Sequence, residues 1–144
     1  MRISKGTEKV LIAWFGFVQS LHLLALVRAL IIYTKTAQLP FPALPPSQGW
    51  SPQAEHFLVG NGIIDAVNII LSLIFVYGYC KSKPWALKTG LISLTVLLYS
   101  ALIFGYATIN AGAWSAHPFA YCTMALLYTP IFLLTVYFFM FKTD

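Results

Sequence analysis

The sequence predicts an all-α membrane protein: a four-transmembrane-helix bundle forming one domain over residues 1–144, with both termini cytoplasmic. Three observations predict it. The chain is 59% hydrophobic and only 9% charged, with a mean hydropathy of +0.77, too apolar for an ordinary soluble domain. Its apolar residues gather in four runs, each reaching the roughly 20 residues that a helix needs to cross a bilayer core. No run alternates apolar and polar residues as a barrel strand would, so helices must pair the backbone groups that lie in lipid.

The first run, 10–33, follows a basic amino-terminal stretch that resembles a signal peptide. It is too long for a signal's apolar core and is followed by no small-residue cleavage site, so it reads as a retained first helix. Residues 34–56 carry Pro40, Pro42, Pro45, Pro46 and Pro52, whose fixed φ and missing amides favour extended chain over helix. This loop, with Phe41 and Trp50 as apolar anchors, is either a lid over the outer mouth of the bundle or a plain connector. The second helix is expected at 57–79, the third at 85–109 and the fourth at 119–141. Pro130 lies inside the fourth, where its missing amide kinks or widens the helix.

Charge sets the orientation. Arg2, Lys5 and Lys9 precede the first helix, Lys81, Lys83 and Lys88 lie between the second and third, and Lys142 follows the fourth, whereas Lys35 stands alone in an opposite loop. Basic residues favour the cytoplasmic side, and the formal charge of +5 then reflects topology, with no nucleic-acid partner. Cys80 and Cys122 fall at opposite ends of the bundle, beyond disulfide reach, and neither belongs to a CxxC pair or a zinc-spaced cluster. No metal and no cofactor are expected.

Function concentrates in the second helix. Asn61, Asp65, Asn68 and Ser72 follow an i, i+4, i+7, i+11 spacing that places them on one helix face. A carboxylate in lipid costs at least about 2.5 kcal/mol, so Asp65 must face protein, water or ligand. Two candidate partners stand on the first helix, Arg28 at a depth comparable to Asp65 and His22 roughly mid-membrane. Arg28 would neutralise the charge in a structural pair, and His22 would supply an imidazole able to exchange a proton. The two stand about 120° apart on the helix, so both cannot face Asp65 squarely. Glu55, at the outer mouth, is a further acid that matters if the proline loop folds over it. Tyr99 and Ser100 on the third helix, Tyr121 and Tyr128 on the fourth, and Trp14 on the first are candidate wall residues. They serve as hydroxyl contacts between helices or as aromatic faces that steady a cation.

The second half, 57–141, resembles a known family. Lys81-Ser-Lys-Pro-Trp85 introduces the third helix, and His117-Pro-Phe introduces the fourth, which continues through Tyr128-Thr-Pro-Ile-Phe132. With the acid in helix two, this cadence is similar to the EXPERA group, the emopamil-binding sterol isomerases and the sigma receptor of the second type. The resemblance implies a helix bundle enclosing a cavity for a sterol-like or cationic amphiphilic ligand, in the endoplasmic reticulum of a eukaryotic host; isomerisation or cyclisation of a terpenoid is a related possibility. It implies that Asp65 protonates an alkene, with Asn61 as its polar neighbour and Thr129 and Phe132 as pocket residues. One departure is plain: those isomerases carry another acid in helix three, where this chain has Tyr99-Ser100. A second proton-handling group would then be His22, Glu55 or a tyrosine. Three functions follow as expectations: an acid-initiated isomerase or cyclase, a non-catalytic sterol or lipid binder, or a structural subunit with an Arg28–Asp65 pair or small carrier in which Asp65 takes up and releases a proton. Expected partners are a hydrophobic small molecule and membrane lipid, with a second copy of the chain as an open alternative.

Overall fold

The structure, a computed structural model, describes residues 4–39 and 44–142. Arg2, Pro40, Phe41 and Pro42 lie outside them, and with them the Phe41 anchor expected in the loop. The described chain is helical: α1 (Lys5–Thr36), α2 (Pro52–Cys80), α3 (Ala86–Asn110), the single turn α4 (Ala113–Ala116) and α5 (Pro118–Phe141). All but α4 are long and apolar enough to cross a membrane, so the chain is a multi-pass, all-α membrane bundle.

Two helices start earlier than hydropathy alone suggests, because serine caps sit outside the apolar runs. The Ser4 side chain accepts from the Thr7 amide at 3.1 Å and opens α1 at Lys5. Ser51 does the same for Ala54 at 3.2 Å, and Pro52 follows in the first turn, where its missing amide costs nothing. Glu55 therefore belongs to the first turn of α2, and the helices take 34–36 and 52–56 from the expected 34–56 loop. α5 continues unbroken through Pro130.

α1 packs on α2 and α5, and α3 closes the ring on their other side. The α1–α2 pair is antiparallel: Gly62 lies against Leu26, Gly16 against Val76, and Tyr79 reaches Glu8. Glu8 in the first turn of α1 meets Lys142 just past α5 at 3.0 Å, so the start of α1 and the end of α5 share one end of the bundle, the inner end.

The inner half is solid. Ile12, Phe15, Phe75, Leu94, Leu134 and Phe138 form a core with almost no exposure. Phe75 lies at its centre, with ring centroids 5.9 Å from both Phe15 and Phe138. Its ring fits because α3 has glycine opposite it: a Cβ at Gly90 would stand 2.6 Å from a Phe75 ring carbon. Gly90→Ala is expected to cost about 1–3 kcal/mol through overpacking. The check is the unfolding midpoint in detergent, and an unchanged midpoint would show that Phe75 has room to move.

Candidate functional site: an intramembrane cavity around Asp65

Above the aromatic core the helices part, and the outer half holds a cavity of about 710 Å³. Leu26, Leu58, Leu97, Phe104 and Met124 supply apolar walls from α1, α2, α3 and α5. Several wall residues are also open to the bundle's outer surface, Leu102 at 72% and Ile63 at 63% exposure, so the cavity communicates sideways with the space that lipid occupies.

Its polar groups converge from all four long helices. Asn61 and Asp65, one turn apart on α2, are both 9% exposed, and Ser100 on α3 is 2% exposed. The α2–α3 register that brings Asn68 Nδ2 to the Ser93 carbonyl at 3.1 Å also sets Ser100 opposite Asp65. Ser100 Oγ lies 2.5 Å from Asp65 Oδ1 and 3.1 Å from Asn61 Oδ1, while Asn61 Nδ2 donates to Asp65 Oδ2 at 3.4 Å.

Proton counting gives this triangle a chemical sense. Beside an ionised Asp65, Ser100 has one hydroxyl proton for two acceptors. Beside a protonated Asp65, the acid O–H donates to Ser100 Oγ, Ser100 donates to Asn61 Oδ1 and Asn61 donates back to Asp65. The three groups then form a closed ring in which each donor has an acceptor, so the arrangement accommodates an uncharged acid.

His22 lines the same cavity from α1, within electrostatic range of Asp65. Its Nδ1 is 3.4 Å from the Tyr128 hydroxyl on α5. Arg28 is exposed, with no carboxylate in ion-pair range among the described residues, so the expected Arg28–Asp65 pair is absent. The 120° separation of Arg28 and His22 decides this: the helix face that carries His22 toward α2 turns Arg28 outward.

The other expected site residues divide. Asn61, Ser100, Tyr121, Tyr128, Thr129 and Phe132 line the cavity, Phe132 at its rim with 52% exposure. The Thr129 hydroxyl bonds back to the Ala125 carbonyl at 3.2 Å. Four residues fall elsewhere. Tyr99 is 64% exposed on the outside of α3, one residue and therefore about 100° from Ser100. Glu55 stands ten residues before Asp65, about 15 Å along α2, and does not line the cavity. Asn68 lies one turn below Asp65. Trp14 packs lower still, its indole donating to the Leu127 carbonyl at 3.2 Å.

Trp114 is a wall residue that sequence patterning missed; it sits on α4, outside every apolar run. It stacks on Tyr121 at 5.4 Å and 20°, and its indole donates to Thr108 Oγ1 at 2.9 Å. Next to this stack, the Tyr121 hydroxyl donates to the Leu44 carbonyl at 2.7 Å and His117 Nε2 donates to the Pro45 carbonyl at 3.0 Å. The described part of the proline loop is thus fastened to the top of α5 at the outer mouth. Among the described residues no three His, Cys, Asp or Glu side chains gather as metal ligands, and Cys80 and Cys122 are both exposed and unpaired.

No family model, curated protein or solved structure matches this chain.

Proposed function

We propose that this chain is an acid-initiated isomerase or cyclase that works inside the membrane on a sterol-like or terpenoid molecule, with Asp65 as the proton donor. The observation that carries the reading is the Asp65–Ser100–Asn61 ring set in the wall of a large apolar cavity. Its volume falls within the range of about 300–1,000 Å³ typical of small-molecule sites. The lateral openings suit a ligand that arrives dissolved in lipid.

In this mechanism the Asp65 O–H adds its proton to one carbon of an alkene and leaves a carbocation on the neighbour. Ser100 and Asn61 stabilise the carboxylate that forms, because both can then donate to it. Phe104, Tyr121 and Tyr128 present aromatic surface to the cation. Loss of a proton from an adjacent carbon to His22 forms the new double bond. Return of that proton to Asp65 closes the cycle with no net gain or loss. The EXPERA-like cadence of the second half supports the same chemistry and, for a eukaryotic host, the endoplasmic reticulum. His22 stands in for the helix-three acid that this chain lacks.

A carrier reading fares worse. The packed Phe15–Phe75–Phe138 plug below the cavity leaves Asp65 no polar route to the inner end. The test is mass spectrometry of lipids retained by the purified protein, wild type against Asp65→Asn. A stoichiometric sterol or terpenoid in wild type, lost or chemically altered in the variant, is the expected result. The same molecule bound unchanged by both would favour a non-catalytic binder, and bulk phospholipid alone in both would sink the ligand reading.

A further inference from the structure

One turn below the Asp65 level the bundle holds a second polar layer that the proposed reaction does not use. Gln19 on α1 is completely buried, and neither its Nε2 nor its Oε1 has a hydrogen-bond partner among the described residues. Asn68 on α2 is 3% exposed; its Nδ2 is bonded to the Ser93 carbonyl, but its Oδ1 is unpartnered.

The antiparallel register brings these groups to within about one helical turn of each other in depth. Gly62 opposite Leu26, Gly16 opposite Val76 and Tyr79 opposite Glu8 fix the pairing of α1 with α2. Interpolating between them sets Gln19 level with the Asn68–Ser72 turn. Gln19 lies three residues below His22 and Asn68 three below Asp65, a drop of about 4.5 Å on each helix. The same stretch of α2 and α3 carries Ser72 and Ser93, both fully buried, which donate to the Asn68 and Gly90 carbonyls and keep acceptor lone pairs free.

A buried amide with no partner costs about as much as a lost hydrogen bond, so one with both atoms open is expected to have a ligand. The ligand must donate, accept, and reach a fully buried layer that the cavity does not. Water meets all three conditions.

We propose that Gln19 and Asn68 hold a buried water beneath His22 and Asp65, and that this water links the two. It accepts from Gln19 Nε2 and donates to Asn68 Oδ1, with its remaining hydrogen-bonding capacity directed up toward the His22–Asp65 level. Its role rests on the isomerase reading: it offers the proton taken up by His22 a short return path to Asp65. Its existence does not rest on that reading. The Phe15–Phe75–Phe138 core seals the layer from below, so the water is confined rather than drawn from a channel.

Infrared spectra of the resting protein in H2¹⁶O and H2¹⁸O test this without substrate. Wild type is expected to show an isotope-sensitive O–H band of a buried water that disappears in Gln19→Leu and Gln19→Met. The carboxyl band that vanishes in Asp65→Asn is expected to shift in the Gln19 variants. No isotope-sensitive band in wild type, or a band unchanged in the variants, overturns the site; an unshifted carboxyl band overturns the link. If neither Gln19 variant folds, a high-resolution map of wild type decides. Density within hydrogen-bond distance of Gln19 Nε2 and Asn68 Oδ1 supports the water, and an amide resting directly on the Asn68 carbonyl refutes it. Full turnover by Asp65→Asn would instead refute the catalytic reading and leave the water in place.

Discussion

Glu8→Leu is expected to be among the most destabilising single substitutions in the chain, at about 3 kcal/mol. Glu8 is 2% exposed at the inner end of the bundle. Its carboxylate accepts from the Tyr79 hydroxyl of α2 at 2.6 Å, pairs with Lys142 beyond α5 at 3.0 Å, and is approached by the Tyr137 hydroxyl at 3.5 Å. One side chain thus ties the inner ends of α1, α2 and α5. Removing it leaves Tyr79 without its acceptor and Lys142 without its counter-charge. The two partners should contribute unequally. Lys142 is 37% exposed and can turn to water, so Lys142→Met should cost only about 1 kcal/mol. Glu8→Gln, which keeps an acceptor for Tyr79, should fall between them. Unfolding midpoints of the three variants in one detergent provide the check. A Glu8→Leu midpoint equal to wild type would mean that the inner ends are held by the aromatic core alone.

This cluster was not legible in the sequence, for a physical reason. Glu8 sits among Lys5 and Lys9 before the apolar run, where a lone acid reads as a solvated boundary residue. Its burial depends on α2 and α5 converging there, which no local pattern encodes. Gln19 escaped notice for a related reason: one uncharged amide in a long apolar run alters hydropathy little. Asp65 was legible because a carboxylate in lipid demands partners and because Asn61 repeats on its face at i−4. Ser100 could be named as a candidate, but only the α2–α3 register makes it the bonding partner of Asp65. Tyr99, its neighbour in sequence, was grouped with it despite the rotation that sends adjacent helical residues to different faces. Helix number followed from hydropathy, whereas the starts of α1 and α2 depended on the Ser4 and Ser51 caps.

Asp65→Asn should abolish turnover while leaving the cavity intact. The variant keeps the shape of the side chain and can still bond Ser100 and Asn61, so the fold and ligand retention should survive. What it loses is the transferable proton. Loss of a positioned general acid lowers rates by about 10²–10⁴-fold. Deuterium provides the readout, since an alkene protonated by Asp65 in D2O must gain deuterium at the attacked carbon. Wild type should incorporate it into the bound ligand and Asp65→Asn should not. Ser100→Ala should fall between them, because the acid remains but the carboxylate formed after proton transfer loses a donor at 2.5 Å. His22→Ala should slow product formation, because the cation would lack the base that resolves it. This order separates catalysis from structure: if Asp65 were only a packing residue, Ser100→Ala would disturb folding as much as chemistry, and deuterium would enter the ligand in none of the proteins. Incorporation at the wild-type rate in Asp65→Asn would move the proton donor elsewhere in the cavity, with His22 the next group to test.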